Sequence, residues 1–498
     1  MTADEVGQDR GVTGTGAELD PRRWAAIGVC ISVLFITLLD VSIVTVALPS
    51  ISRGIGAGPA QLQWVVSGYA LAFGMVPIIA GRLGDDRGRK RMLMIGIAAF
   101  VVFSAVVGAA PTPGVLIAGR VLQGLAGGLL NPQVSGLVQQ LFPPAERGKA
   151  FGALGAAVGI ATAAGPVVGG AIIAVGGEQF GWRLCFLINV PIGIVSLILC
   201  ARLLPSPPPR ERTRPLDLPG AVLLTVGVFG LLFPAVQFDA DHDLRLAVLV
   251  IPALAVLAGF LGWERGAARR RGHPLIDLAL FRIRSYADGV VLAILFFCAY
   301  TGTPLVLALF LQDGLGFSPL HSGLSASAYA VGAALSAPVA GRLLPRLGQR
   351  VLVVALGLFT VGIAAMALLA DTFAGAVPSG HVALIMAPAL LVAGLGGGAV
   401  MTPNQALSLA EVDAGGGSTA GGMLQTSQRM GNAIGAAVIS AVFYASVTGA
   451  PASGAGRAAH FGHAYATSLL ISVGFAVAAL LVAIRDVRRR GEDRTAAS

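Results

Sequence analysis

Charge is scarce in this sequence. Only 12% of its 498 residues are charged while 55% are hydrophobic, which leaves too little polar surface to clothe a water-soluble globule of that size. Cysteine and histidine are scarcer still, at four and six. Cys30, Cys185, Cys200 and Cys298 all fall inside apolar runs without paired spacing, so neither a disulfide framework nor a metal site is expected. No connection between the apolar runs is long enough to hold a soluble domain, which argues against an enzyme or receptor with a body outside the membrane. The N-terminal tail also lacks the charged stretch and short apolar core of a cleaved signal, so the first apolar run is expected to be retained.

What the chain has in abundance is apolar runs of about twenty residues, the length that crosses hydrocarbon as a helix with every backbone group satisfied internally. We read fourteen such spans, at 24–50, 60–80, 92–110, 114–141, 150–175, 182–204, 218–238, 244–263, 287–312, 321–344, 350–370, 382–410, 418–447 and 464–484. The net charge of +9 does not indicate nucleic acid, because the basic residues lie on one side of the membrane. Of the 34 Lys and Arg, 28 fall in the two tails and the even-numbered connections, four (Arg53, Arg183, Arg245 and Arg457) fall on the other side, and Arg120 and Arg429 lie within spans. Since Lys and Arg accumulate on the cytoplasmic side, both termini are expected in the cytoplasm of a multi-pass protein of the inner (plasma) membrane. The Pro-rich stretch PSPPPRERTRP (205–215) cannot be helix and separates a first six-span unit from the remaining eight spans.

Two stretches at equivalent span ends show a duplication: GRLGDDRGRK at 81–90 and a degenerate copy, GRLLPRLGQR, at 341–350. Through Gly81, Leu83, Asp85, Gly88, Arg89 and Lys90 the first resembles the G-x-L-x-D-x-x-G-R-K loop signature of the major facilitator superfamily. By that resemblance Asp85 faces the N-terminal end of span 13, where a helix dipole favours an anion, and forms a cytoplasmic gate. Pro345 stands at the Asp position of the second copy, so only the first acts by charge. Span 5 reads GALGAAVGIATAAGPVVGGAI (152–172), and Gly165, Pro166, Gly169 and Gly170 resemble the G-x-x-x-G-P-x-x-G-G signature of the antiporter branch, with Ala161 at the first glycine. This smooth face is expected to pack against the small residues of span 10 and seal the outer side.

Span 4 carries LIAGRVLQGLAGG (116–128), with Leu116, Arg120, Gln123 and Gly124 resembling L-x-x-x-R-x-x-Q-G. An arginine inside a membrane requires a partner. Span 1 supplies an acid in LLDVSIVTVALP (38–49), similar to L-D-x-T-V-x-N-V-A-L-P of drug:proton antiporters, with Ser42 for Thr and Thr45 for Asn. At 1.5 Å rise per residue, Asp40 lies roughly 15 Å and Arg120 about 10 Å from the outer ends of their spans, a difference that the arginine side chain bridges. Burial disfavours a carboxylate and a neighbouring guanidinium favours it, so movement of Arg120 relative to Asp40 is expected to switch the proton on and off.

With GWRLCFLINVPIG (181–193) and QTSQRMGNAIGAAV (425–438) also similar, the chain resembles the 14-helix drug:proton antiporters over nearly its whole length. The resemblance implies an all-α polytopic membrane protein of the major facilitator fold, two six-helix halves plus two inserted helices, rocking about a site near the midplane. Its units are a tail 1–23, a first half 24–204, a linker 205–217, inserted spans 218–263, a basic loop 264–286, a second half 287–484 and a basic tail 485–498. Segment 274–281 of the basic loop is expected along the membrane interface.

The implied function is proton-coupled efflux of amphiphilic drugs, antibiotics or dyes, with transport of a specific metabolite as the alternative. The protein is then not an enzyme, needs no cofactor beyond the proton gradient, and works as a monomer in the bilayer on small organic substrates and protons. Fold analogy places Asn131, Gln133, Phe297, Tyr300, Asn404 and Gln405 in the substrate cavity. With Asp40 the one deep acid and already opposed by Arg120, neutral or singly charged amphiphiles are expected over dications, with Phe297 and Tyr300 offering apolar or cation–π contact.

Overall fold

The protein is described by a computed structural model covering residues 22–205, 217–241, 248–270, 275–451 and 453–496. Most of the N-terminal tail and of the Pro-rich linker lies outside the described residues. The described chain is almost entirely helical, with α1 (Arg23–Ile55), α2 (Pro59–Met75), α3 (Pro77–Arg87), α4 (Arg89–Gly108), α5 (Pro113–Leu141), α6 (Pro144–Leu187) and α7 (Asn189–Leu203) forming the first half. Two further helices, α8 (Leu218–Asp241) and α9 (Val250–Arg270), precede the second half: α10 (Arg284–Leu309), α11 (Pro319–Leu347), α12 (Arg350–Phe373), α13 (Ser379–Ser408), α14 (Gly417–Val447) and α15 (Gly454–Ala496).

Eleven of these helices are long and apolar enough to cross a membrane, and thirteen spans result if each of two bent pairs counts as one. The expected fourteenth, span 7, corresponds to α8, of which the described side chains cover Leu218–Pro234. Span 2 is not continuous: α2 and α3 meet at 47°, where Pro77 opens α3 and has no N–H to carry the hydrogen-bond ladder across. Conversely, the corner between spans 5 and 6 lies inside α6, at Gly177, whose φ of 72° is open to glycine and strained for other residues.

One apolar core runs from the first half through α8 into α10 and α14, with a further cluster inside each half, and α8 packs between the halves against α2 and α14. Leu232 of α8 sits against Gly74, and the Phe233 ring lies 6.2 Å from that of Trp64. Segment 274–281 departs from the interfacial placement at its start: Leu275 and Ile276 are buried, and the Ile276 N–H donates to Glu264 Oε2 at 2.9 Å.

The halves meet mainly at the end that carries the α3–α4 corner, hereafter the basic end, through two related contacts. In the first loop copy, a Cβ on Gly81 would collide with the Ser418 carbonyl, so α3 and α14 touch backbone to backbone. In the second, a Cβ on Gly341 would stand 2.8 Å from Gly152 Cα, and α11 touches α6 in the same way. The contact continues along α6 through Gly155 against Thr402 and Ala337, and Gly159 against Ala334. Small residues at this spacing let helices approach closely where lipid offers no hydrophobic drive.

Beyond Gly159 the expectation for α6 is corrected. Gly165 faces α1, not α11: a Cβ there would collide with the Ser42 side chain, and Ser42 Oγ donates to the Thr162 carbonyl at 2.8 Å. Gly169 faces Ile43, Gly170 has nothing within 4 Å, and the side chain of Pro166 lies outside the described residues. The physical reason is the conformation: α6 and α11 are joined at the basic end, and the other half of α6 leans on its neighbour within the same half.

Gly165→Ala should therefore destabilise the first half by about 1–3 kcal/mol through overpacking. Ser42→Gly in the same chain should recover most of that loss, read as the thermal midpoint of the purified protein. A double variant no more stable than Gly165→Ala would show that this contact does not limit packing.

Candidate functional site

At the basic end the α3–α4 corner is locked to α14 by one carboxylate. Asp85 Oδ1 accepts from the Ser418 N–H at 3.1 Å, and Oδ2 accepts from the Thr419 N–H at 2.7 Å and the Thr419 hydroxyl at 2.8 Å. These are first-turn groups of α14, unpaired within the helix and carrying the positive end of its dipole. Arg89 donates to Asp85 Oδ1 at 2.8 Å, to the Gly136 carbonyl at 2.7 Å, to Ser418 Oγ at 2.9 Å and to the Ala414 carbonyl. Gly88 turns the corner with φ 98°, and Lys90 donates to the carbonyls of Ala201 and Leu204 at the end of α7. Arg147, from α6, adds bonds to the carbonyls of Leu409 and Ala410 across the halves.

A second buried carboxylate sits at the middle of α1. Asp40 is fully buried, with Oδ2 accepting from Arg120 at 2.5 Å and Oδ1 from Gln123 Nε2 at 3.0 Å and Asn189 Nδ2 at 2.8 Å. Arg120 in turn donates to the Val65 carbonyl at 3.1 Å and to Gln123 Oε1 at 2.8 Å, and its guanidinium lies 4.2 Å from the Tyr69 ring centre. Gln123 Nε2 also reaches Ser104 Oγ at 2.8 Å. The group thus draws on α1, α2, α4, α5 and α7, with two donors on Oδ1 and one on Oδ2.

Between the halves lies a cavity of about 520 Å³, within the range of small-molecule sites. Phe73, Phe297, Tyr300 and Tyr329 give it aromatic walls, while Asn131, Gln405, Gln425, Gln428, Arg429 and Asn432 are among its polar groups. Part of its floor is a clamp between the halves, where Ser135 Oγ accepts from Gln405 Nε2 at 2.8 Å and Gln425 Nε2 at 3.4 Å. Asp40 is not among the lining residues. Leu34 and Leu38 line the cavity from α1, and Asp40 faces the other helices of its own half.

The Major Facilitator Superfamily model matches residues 30–436 and, in a second match, 289–498. The chain belongs to the major facilitator superfamily. Among its relatives, the probable actinorhodin transporter of Streptomyces coelicolor is 37% identical over 438 residues, 87% of this chain and 75% of that protein. The puromycin resistance protein pur8 of Streptomyces alboniger is 32% identical over 490 residues, 96% of this chain and 94% of that protein. The solved human organic anion transporter MFSD10 superposes with a TM-score of 0.65 at 16% identity, covering 92% of this chain and 100% of that one, a likeness of fold. This major facilitator is a multi-pass membrane transporter and not an enzyme.

Within this facilitator, Asn131, Phe297, Tyr300 and Gln405 line the cavity, but two expected lining residues do not. Gln133 is fully buried and turns to the Ala80 carbonyl at 2.8 Å, under Gly84 of the loop motif. Asn404 turns to the Gly289 carbonyl on α10 at 3.4 Å. Both sit one or two positions from true lining residues, and on a helix that displacement turns a side chain to another face.

Sequence reasoning missed Asn189 as an Asp40 ligand and the polar residues that flank Arg429 on α14. With Arg429 they form a stripe, visible as Gln425, Gln428, Arg429 and Asn432, at helical spacing i, i+3, i+4, i+7.

Asp85→Asn should weaken the closed basic end, because it removes the charge that Arg89 and the α14 N-terminus share; breaking such a buried pair costs about 3–5 kcal/mol. With Ser135→Cys as a reporter on the cavity floor, labelling by an impermeant maleimide from the basic side should rise by about tenfold or more. Unchanged labelling would mean that glycine packing alone holds the gate.

Proposed function

We propose that this transporter exports amphiphilic organic compounds in exchange for protons, with the basic end and both termini in the cytoplasm of the plasma membrane and the monomer as the working unit. The observation that carries the reading is the state of Asp40. Its two oxygens are surrounded by three N–H donors, from Arg120, Gln123 and Asn189. This shell of donors suits the charged carboxylate and leaves one lone pair of Oδ2 open to a proton. A proton on Asp40 cancels the charge that pairs with Arg120, and weakening that ion pair loosens α1 from α5.

Leu34 and Leu38, on the cavity side of the same helix, link that movement to cargo without contact between proton and substrate. The likeness to an actinorhodin transporter and a puromycin resistance protein supports transport of bulky organic molecules. The clamp at Ser135 and the Asp85 lock support a cycle in which the basic end opens to load cargo and closes to release it on the other side.

A membrane potential of about 100 mV and a gradient of about half a pH unit supply roughly 3 kcal/mol per proton, enough for about a hundredfold concentration ratio of a neutral substrate. Asp40→Asn keeps the volume but cannot exchange a proton. In proteoliposomes it should abolish transport driven by the combined potential and pH gradient, a loss of about a hundredfold in the attainable ratio. Substrate-for-substrate exchange should remain and shows that the variant is folded. Gradient-driven export at the wild-type level would sink the assignment.

A further inference from the structure

Among the described residues, the arginines inside the bundle are matched to partners with one exception. Arg120 holds Asp40, Arg89 holds Asp85, and Arg147 donates to four backbone carbonyls. The exception is Arg429 on α14. Among the described residues it has no hydrogen bond and no ion pair; its guanidinium carbon lies 4.7 Å from the centre of the Phe73 ring, and it lines the central cavity. No Asp or Glu lines that cavity with it. A guanidinium has five N–H donors in a fork that fits two oxygens of one anion, and an unpaired cation in a low-dielectric site is costly to keep.

We infer that the cavity recognises an anionic aromatic amphiphile, a carboxylate or an ionised phenol, with Arg429 as its counter-charge. The inference rests on the export reading above and refines its substrate class. Two further features define that ligand. The Asn131 Oδ1 and Gln425 Oε1 acceptors are buried at the cavity without a donor, so a hydroxyl or amide N–H on the cargo has partners. The Phe297 and Tyr300 rings provide a surface for a flat apolar body. A cationic cargo meets the opposite conditions, since the Phe73 face is already taken by Arg429 and no carboxylate offsets the repulsion. The preference for neutral or singly charged compounds drawn from Asp40 alone is thereby narrowed to anions, because Asp40 is outside the cavity and Arg429 is inside it.

The charge moved per cycle changes with the assignment. Expelling a monoanion while a proton enters carries one more elementary charge in the inward-positive sense than expelling its neutral ester, so the membrane potential drives the anion more strongly.

The test uses the full chain in proteoliposomes and three matched probes: pyrenebutyrate, its methyl ester and a pyrenylalkyl trimethylammonium. Wild type should bind the carboxylate about tenfold or more tightly than the ester, the gain of one charge-assisted contact, and the ammonium most weakly. Carboxylate export should respond more steeply to an imposed potential than ester export. Arg429→Gln should bring the carboxylate-to-ester ratio close to one, and Arg429→Lys, which keeps a point charge without the fork, should retain part of it. Equal binding of carboxylate and ester by wild type, tighter binding of the ammonium, or an unchanged ratio in Arg429→Gln overturns the anion assignment while ester export leaves the export reading standing. Export of none of the three overturns both.

Discussion

A charge inside a bilayer must find its partner within the protein, since neither lipid nor bulk water offers one. Much of this molecule is built on that constraint. Asp40 joins five helices of the first half because Arg120, Gln123, Asn189, Val65, Tyr69 and, through Gln123, Ser104 surround one carboxylate and one guanidinium. Asp85 joins the two halves because its oxygens complete the open end of α14 while Arg89 balances its charge. Each site is stable in one arrangement and depends on the relative position of helices, which makes each a place where a change in charge becomes a change in packing.

Glycine sets how near those helices come. The two copies of the loop motif do related jobs at related places, Gly81 against the backbone of α14 and Gly341 against the backbone of α6. Only the first copy adds charge, since Pro345 occupies the Asp position of the second. The closed basic end is thus part electrostatic and part steric, and the electrostatic share lies on one side of the pseudo-symmetry. Interfaces of this kind slide or separate as units without being deformed, because tight backbone contacts have little room for intermediate states.

A second consequence is the separation of the buried Asp40–Arg120 pair from the cavity. Asp40 and the lining residues Leu34 and Leu38 lie within two turns of the same helix, yet they face different surroundings. The physical links between the two sites are the body of α1 and Tyr69, whose ring stacks on Arg120 and then on the cavity-lining ring of Phe73 at 5.9 Å. In the proton-exchange export proposed above, cargo and proton would not compete for one group, because Asp40 lies outside the cavity and Arg429 lines it.

Apolar run length, the repeat at 81–90 and 341–350, and the order of motifs along spans 1 to 5 determined the membrane class, the two-half architecture and the family, because each depends only on local composition and spacing. The pairing of Asp40 with Arg120 was also legible, since depth along a helix is set by residue count and few buried ions compete for a partner. Facing direction across a bundle was decided only by the tertiary structure. Gly165 met Ser42 in place of α11, Gln133 and Asn404 turned away from the cavity beside Asn131 and Gln405, and Arg429 turned into it without a counter-ion among the described residues. A helical residue moves by about 100° around the axis per position, so which side chain reaches which neighbour depends on the bend at Pro77, the corner at Gly177 and the closed basic end, all of which are set by contacts distant in sequence.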